Sequence, residues 1–235
     1  LTGSQVFQTM NNVSESLAGR IGILDLYGFS ERELEGKEES IFLPKIEELK
    51  NKERTKTKST NELFERILNG SYPEVNNENG RDREQFYETY IRTYVERDVR
   101  QLINIKDESK FVKFISSMAA RTAQEYNATE IANDVGVDSK TIEQWTSILK
   151  NTSLIYMLQS YSNSNVQKAI RRPKIYFMDT GLASYLTGYM SSETLEKSAY
   201  NGAIFETYII GEIIKSYTNN GKDPRTRLYY YRDTT

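Results

Sequence analysis

The chain contains no cysteine and no histidine. That excludes Cys/His zinc sites, thiol nucleophiles, disulfides and every Ser–His or Cys–His catalytic pair. Chemistry is left to carboxylates, Lys, Arg, Tyr, Ser/Thr or a metal held by oxygen. A reducing cytoplasm is the compartment that absent cysteine suits. Long apolar runs are missing too. None approaches the roughly 18–20 residues that span a bilayer, and no secretory n-region and h-region pattern is present. No membrane partner is therefore expected. An excess of one charge is also lacking: 31 Lys and Arg face 33 Asp and Glu, for a net charge of −2. Nucleic acid would have to be met by a local patch.

What is present begins with "LTGSQVF", which lacks a methionine and reads like the inside of a strand. A fragment of a longer protein is expected. Residues 11–19, "NNVSESLAG", read as a short helix capped by Asn12 or Ser14 and ended by Gly19. Residues 19–27, "GRIGILDLY", read as a buried strand. Strand, helix, strand is α/β grammar. Lys50, Lys52, Arg54, Lys56 and Lys58 then alternate through a charged stretch. It is either a phosphate-touching arm or, the plainer reading, a solvated connection.

Helices dominate the middle. "TNELFERILNG" places Leu63, Phe64, Ile67 and Leu68 on one face, with Gly70 as a stop. In "REQFYETYIRTYVERDVRQLINI", Tyr87, Ile91, Val95 and Val99 recur every four residues. Glu88, Arg92, Glu96 and Arg100 recur on the opposite, charged face. Its tyrosines could be a stacking platform for bases, but at helical spacing on an apolar stripe they read as core. "KFVKFISSMAARTA" continues with Phe111, Phe114, Ile115 and Met118. Next, "NATEIANDVGV" is a helix opened by Asn127 with Glu130 three residues on, ended near Gly136. "DSKTIEQWTSILKN" follows, capped by Asp138 or Ser139, with Ile142, Trp145, Ile148 and Leu149 inward. Two short helices across a tight turn make a helix-turn-helix. The stretches "SLIYMLQSY" and "KIYFMD" add a two-stranded wing, giving a winged helix.

Several residues are candidates for function. On the outward face of the second short helix, Gln144 could read adenine and Lys140 could hold a phosphate. On the wing, Arg171, Arg172 and Lys174 are better placed for phosphates. Asp179-Thr180-Gly181 matches the catalytic triplet of a retroviral-type aspartic protease. Such enzymes need two carboxylates sharing a proton, in an all-β chain, and this chain is mostly helical with one copy. Asp179 reads instead as the residue that ends the wing and caps the next helix. The final helix, "NGAIFETYIIGEIIKSYTNNG", gathers Phe205, Ile209, Ile213 and Ile214. Its Glu206 and Glu212 are six residues apart, too far round the helix to pair. "RLYYYRD" then starts a strand.

The order of these segments resembles a group of bacterial and archaeal AAA-type (P-loop) ATP-binding proteins. The resemblance is carried by "LTGSQ", "VSESLAGRIGILDLYGFSERE", "FYETYIRTYVERDVR", "IANDVGVDSKTIEQWTSIL", "KIYFMDTGLASYL" and "NGAIFETYIIGEIIKSY" before "LYYYRD". It implies a mainly α chain with α/β ends. Residues 1–40 would be the end of an ATPase core, 41–125 a helical lid, 126–190 a winged helix, and 191–235 the start of a restriction-endonuclease-like domain. It implies that Thr2 or Ser4 sits on a sensor strand near the γ-phosphate. Arg20 would be an arginine finger or sensor acting on nucleotide. Glu206 would be an acid that joins others to hold Mg²⁺. The chain departs from the pattern at both ends. It has no G-x-x-x-x-G-K-[ST], no acidic strand before "LTGS" and no downstream Asp and Glu-x-Lys strands. ATP and Mg²⁺ are thus expected of an intact parent, with neither ATP hydrolysis nor DNA cleavage by this chain alone. Expected partners are DNA, another protein or a second copy. The rival readings are a winged-helix DNA-binding regulator and an interaction module whose activities have decayed.

Overall fold

The computed structural model describes residues 24–51, 58–77, 79–99, 108–162 and 171–232. It is mainly helical, with one two-stranded sheet among the described residues. Two short helices, α1 (Glu31–Leu34) and α2 (Ile46–Asn51), lead into α3 (Thr60–Asn69). Ser59 and Glu62 close a capping box at the start of α3, and Gly70 ends it at φ +70°. The face Phe64, Ile67 and Leu68 is buried, as its spacing predicts.

After the single turn α4 (Pro73–Asn76), helix α5 (Arg83–Thr93) runs on as π-helix through Tyr94–Val99. The winding explains the four-residue recurrence. In an α-helix four residues overshoot one turn by about 40°, so such a stripe would rotate away from the core. A wider π segment turns it back. Tyr87, Ile91, Val95 and Val99 are all buried. Tyr90 packs against the same core, and its hydroxyl accepts from Tyr72 Oη at 2.9 Å. These tyrosines are core, not a stacking platform.

Helices α6 (Glu108–Ala120), α7 (Ala128–Val135) and α8 (Ser139–Asn151) then pack around Phe111, Phe114 and Trp145, whose rings lie 5.2–5.7 Å apart. Asn127 caps α7, Gly136 ends it in the left-handed region at φ +78°, and Asp138 caps α8 through Thr141 N. Strands β1 (Ile155–Leu158) and β2 (Lys174–Phe177) pair antiparallel, with Ile155 opposite Phe177. The segment between α6 and α7 flanks β2 on its other side. Ala123 N donates to Ile175 O, Ile175 N to Gln124 O and Tyr126 N to Pro173 O.

Both faces of the hairpin are covered. Strand side chains alternate sides, and here the two sets enter different cores. Ile155, Ile175 and Phe177 join the helices α3–α8. Tyr156, Leu158, Tyr176 and Met178 join Ile214 and Ile210 of the long helix α11 (Asn201–Thr218). Between them come α9 (Thr180–Leu186) and α10 (Ser192–Glu196). A 3₁₀ turn at Pro224–Thr226 follows α11. Tyr230 then lies parallel to Ser160, continuing the edge of the hairpin.

Two sequence expectations change. Of the expected strand 19–27, residues 19–23 lie outside the described residues, as does the short helix before it; residues 24–27 form no strand, and Leu24 and Leu26 are 76% and 84% exposed. An apolar run becomes a buried parallel strand only with strands beside it, and none pairs there among the described residues. On α11, Ile214 is buried, but Phe205 and Ile209 are 41% and 40% exposed. The hairpin takes the side holding Ile210 and Ile214, which leaves Phe205 and Ile209 outside. No described helix is long and apolar enough to cross a membrane.

Candidate nucleic-acid interface and the carboxylates behind it

Asp179, which sits where the sequence shows an aspartic-protease triplet, is 5% exposed. Its Oδ1 accepts from Tyr87 Oη at 2.7 Å and from Leu182 N at 2.6 Å, capping α9. Its Oδ2 accepts from Ser71 N at 2.5 Å and Ser71 Oγ at 2.9 Å. The carboxylate joins the α3–α4 turn, α5, β2 and α9 and is satisfied by four neutral donors. Gly70 and Gly181 permit the approach. A Cβ on Gly181 would lie 2.2 Å from Tyr87 Oη, and one on Gly70 would lie 2.6 Å from Asp179 Oδ1. Nothing reaches this carboxylate from solvent, so it is an architectural group.

A second polar cluster ties α1 to α3 and α11. Glu31 takes Arg66 and Lys58 on its two oxygens, and its backbone N–H donates to Glu212 Oε2 at 2.8 Å. Glu212 also pairs with Lys215, which is 4% exposed and donates to Phe29 O at 2.9 Å. Burial pushes the Glu31 carboxyl up, but the hydrogen bonds from Lys58 and Arg66 outweigh it and leave it below its ordinary range. Lys58, at the end of the basic alternation, is thus held by Glu31. Lys52, Arg54 and Lys56 lie outside the described residues.

The outward face of α8 carries Lys140, Gln144, Ser147 and Lys150, all exposed, with Glu143 among them. The side chains of Lys140 and Gln144 have no hydrogen bond or ion pair among the described residues. Arg172 is likewise exposed and unpaired there. Arg171 is half-buried, with Nη1 3.4 Å from both Ser160 Oγ and Tyr161 O. Lys174 is different. Its Nζ pairs with Glu206 Oε1 at 2.8 Å and lies 5.8 Å from the centre of the Tyr230 ring. Tyr176 Oη donates to the same Oε1 at 2.6 Å. Burial, and then Glu206, push the Tyr176 hydroxyl far above the ordinary phenol range. It therefore stays a donor at neutral pH.

The fold thus brings together two candidates that sequence spacing keeps apart, Lys174 on β2 and Glu206 on α11. The three α8 and wing positions Lys140, Gln144 and Arg172 remain outward. Thr2, Ser4 and Arg20 lie outside the described residues. The surroundings of Glu206 do not fit Mg²⁺. A metal wants several oxygens around it, whereas Glu206 faces an ammonium and a phenol proton. Among the described residues no group of three acidic side chains converges. Sequence reasoning gave Asp179 its place as the cap of α9, which the structure shows, but missed its bonds to Ser71 and Tyr87 and the whole Glu31 cluster. The Asp-Thr-Gly triplet pointed at Asp179, and nothing local pointed at the Glu31 cluster.

The chain is 23% identical over 232 residues to an uncharacterized protein of Mycobacterium tuberculosis, Rv2008c, and to its counterpart in Mycobacterium bovis, Mb2031c. The matches take in 99% of this chain and 46% of each relative, so the chain spans about half the length of the curated relatives it matches. No solved structure matches it significantly. Residues 60–193, from α3 into α10 and more than half of the chain, match a family described as a domain of unknown function. The chain belongs to that family, DUF8612.

Proposed function

We propose that this chain is part of an AAA-type ATP-binding protein, in which it carries the response to ATP from a nucleotide-binding core to an output domain. The helices α3–α5 serve as the lid, α6–α8 with the hairpin as a winged helix, and α11 as the first helix of a nuclease-like domain. One observation carries the reading. The hairpin is buried on both faces, by the α3–α8 helices on one side and α11 on the other. A shift of the lid is thereby handed to α11 without a flexible joint. The order of α6, the residue-124 segment, α7, α8 and the hairpin supports the winged-helix assignment: two short helices across a tight turn, followed by a two-stranded hairpin. The relatives' greater length leaves room for a core holding ATP and Mg²⁺. Nucleic acid meets this unit by its phosphates, through Lys140 and Arg172. The test is equilibrium binding of a fluorescent ATP analogue to a full-length relative with intact Walker motifs. Saturable, Mg²⁺-dependent binding is expected, and its absence would overturn the reading.

A second reading, a sequence-specific DNA-binding regulator, is favoured by the outward side chains of Lys140 and Gln144 on α8, which have no partner among the described residues. Filter binding of this chain to specific and scrambled duplexes at two salt concentrations separates the two. The first reading gives weak binding that ignores sequence. The second gives a preferred sequence, lost with Gln144→Ala.

A further inference from the structure

Of the phosphate candidates on α8 and the hairpin, Lys174 is the one whose charge is taken by a carboxylate among the described residues. Its ammonium and the Tyr176 hydroxyl share a single oxygen of Glu206. The pair is open to water, with side-chain exposures of 26% for Lys174 and 43% for Glu206. Ion pairs this exposed contribute little net stability, so the ammonium can leave at small cost. Its surroundings are ready to keep it aimed outward. The Tyr230 ring lies beside it, and the Tyr230 hydroxyl donates to the Arg172 carbonyl. Arg172, two residues upstream, is exposed with no partner among the described residues. When Lys174 departs, Glu206 keeps the Tyr176 hydroxyl, so the carboxylate is not stranded.

We propose that the Glu206 carboxylate is a built-in stand-in for phosphate, holding Lys174 until a nucleic-acid phosphodiester displaces it and completes a two-cation site with Arg172. The inference rests on the nucleic-acid part of the function proposed above. It gives Glu206 a role that needs no metal. It also makes the contact between hairpin and α11 responsive to nucleic acid, because binding removes one of the two bonds that clasp them at Glu206.

The experiment is a fluorescence-anisotropy titration of a labelled DNA duplex of mixed sequence with the chain over a range of salt. The variants are Glu206→Gln, Lys174→Met, the double variant, and Glu193→Gln on α10 as a charge-matched control. Each freed lysine that reaches a phosphate steepens the slope of log K against log salt by about 0.9. The parent makes this contact once Lys174 has left Glu206, so Glu206→Gln is expected to tighten binding about fivefold near 0.1 M salt, because no ion pair then has to be broken, and to leave the slope unchanged, whereas Lys174→Met should flatten it by about 0.9. The double variant should lose the whole gain, and Glu193→Gln should bind as the parent chain does. A parent chain that binds while Glu206→Gln matches it, or a gain that survives in the double variant, overturns the inference and leaves the proposed function standing. Absence of binding by every variant sinks the inference and the nucleic-acid part of the proposed function, and leaves its ATP-binding part to the test given above. Circular dichroism of each variant confirms that the fold is kept.

Discussion

Asp179 and Glu206 hold the same hairpin, one at the end of β2 and the other on its flank, by opposite means. Asp179 is buried, touches no cation among the described residues and is satisfied by two backbone N–H groups and two hydroxyls. Glu206 is part-exposed and held by a lysine and a phenol. A buried charge with fixed dipoles around it cannot be exchanged without breaking the fold. A surface pair in water can change partners freely. The same residue class therefore builds an immovable joint at one place and a replaceable one 27 residues further along the chain.

The comparison is broken most severely at the buried joint. Asp179→Asn keeps the shape but turns one acceptor oxygen into an NH₂ donor. Whichever way the amide lies, it faces either Ser71 N–H or Leu182 N–H, donor against donor. The expected loss is about 3 kcal/mol, the cost of an unsatisfied buried partner plus a charged hydrogen bond. In a chain of this size that lowers Tm by roughly 6–12 °C. Thermal unfolding followed by circular dichroism checks it. A loss below about 1 kcal/mol, small against these hydrogen-bond magnitudes, would mean that the node is redundant.

Glu31 lies between the extremes, half-buried but paired with two cations. Its folded pKa is depressed. Its stabilising contribution is therefore complete above the unfolded carboxylate value of about 4.3. It is lost as pH falls through the lower folded value. Urea unfolding between pH 7 and pH 3 should show stability falling on the acid side. Glu31→Gln should flatten part of that fall and be less stable than the parent at pH 7. Identical acid limbs for the two proteins would show that Lys58 and Arg66 do not favour the ionised form.

The sequence was readable wherever the determining contact is local. Asn127, Asp138 and Asp179 cap helices within three residues of themselves. Ile142, Trp145, Ile148 and Leu149 lie on one face of one helix, and all four are buried. The hairpin was legible from two apolar runs, but its second buried face was not. What covers that face is α11, whose own pattern gives two apolar stripes and no indication of which one packs inward. The pairing of Glu31 N with Glu212 spans 181 residues, and that of Lys174 with Glu206 spans 32. Charge spacing cannot announce partners at such separation. Residues 24–27, "LDLY", show the converse limit, since apolar character alone does not supply neighbouring strands.

The smallest effect sharpens the comparison most. Glu206→Gln leaves an acceptor for the Tyr176 hydroxyl and removes only the attraction for an ammonium that water already reaches. An exposed pair of this kind is worth about 0–1 kcal/mol, so its removal should shift the urea midpoint by little and leave the m-value unchanged. Lys174→Met should cost no more, because Glu206 keeps the Tyr176 hydroxyl and stays open to water. High salt should narrow the difference between parent and variant, whereas the Asp179→Asn deficit should persist, since a buried hydrogen-bond mismatch is not screened. A Glu206→Gln loss comparable to that of Asp179→Asn, and equally indifferent to salt, would show that both carboxylates are fixed joints and that the flank of the hairpin is not exchangeable.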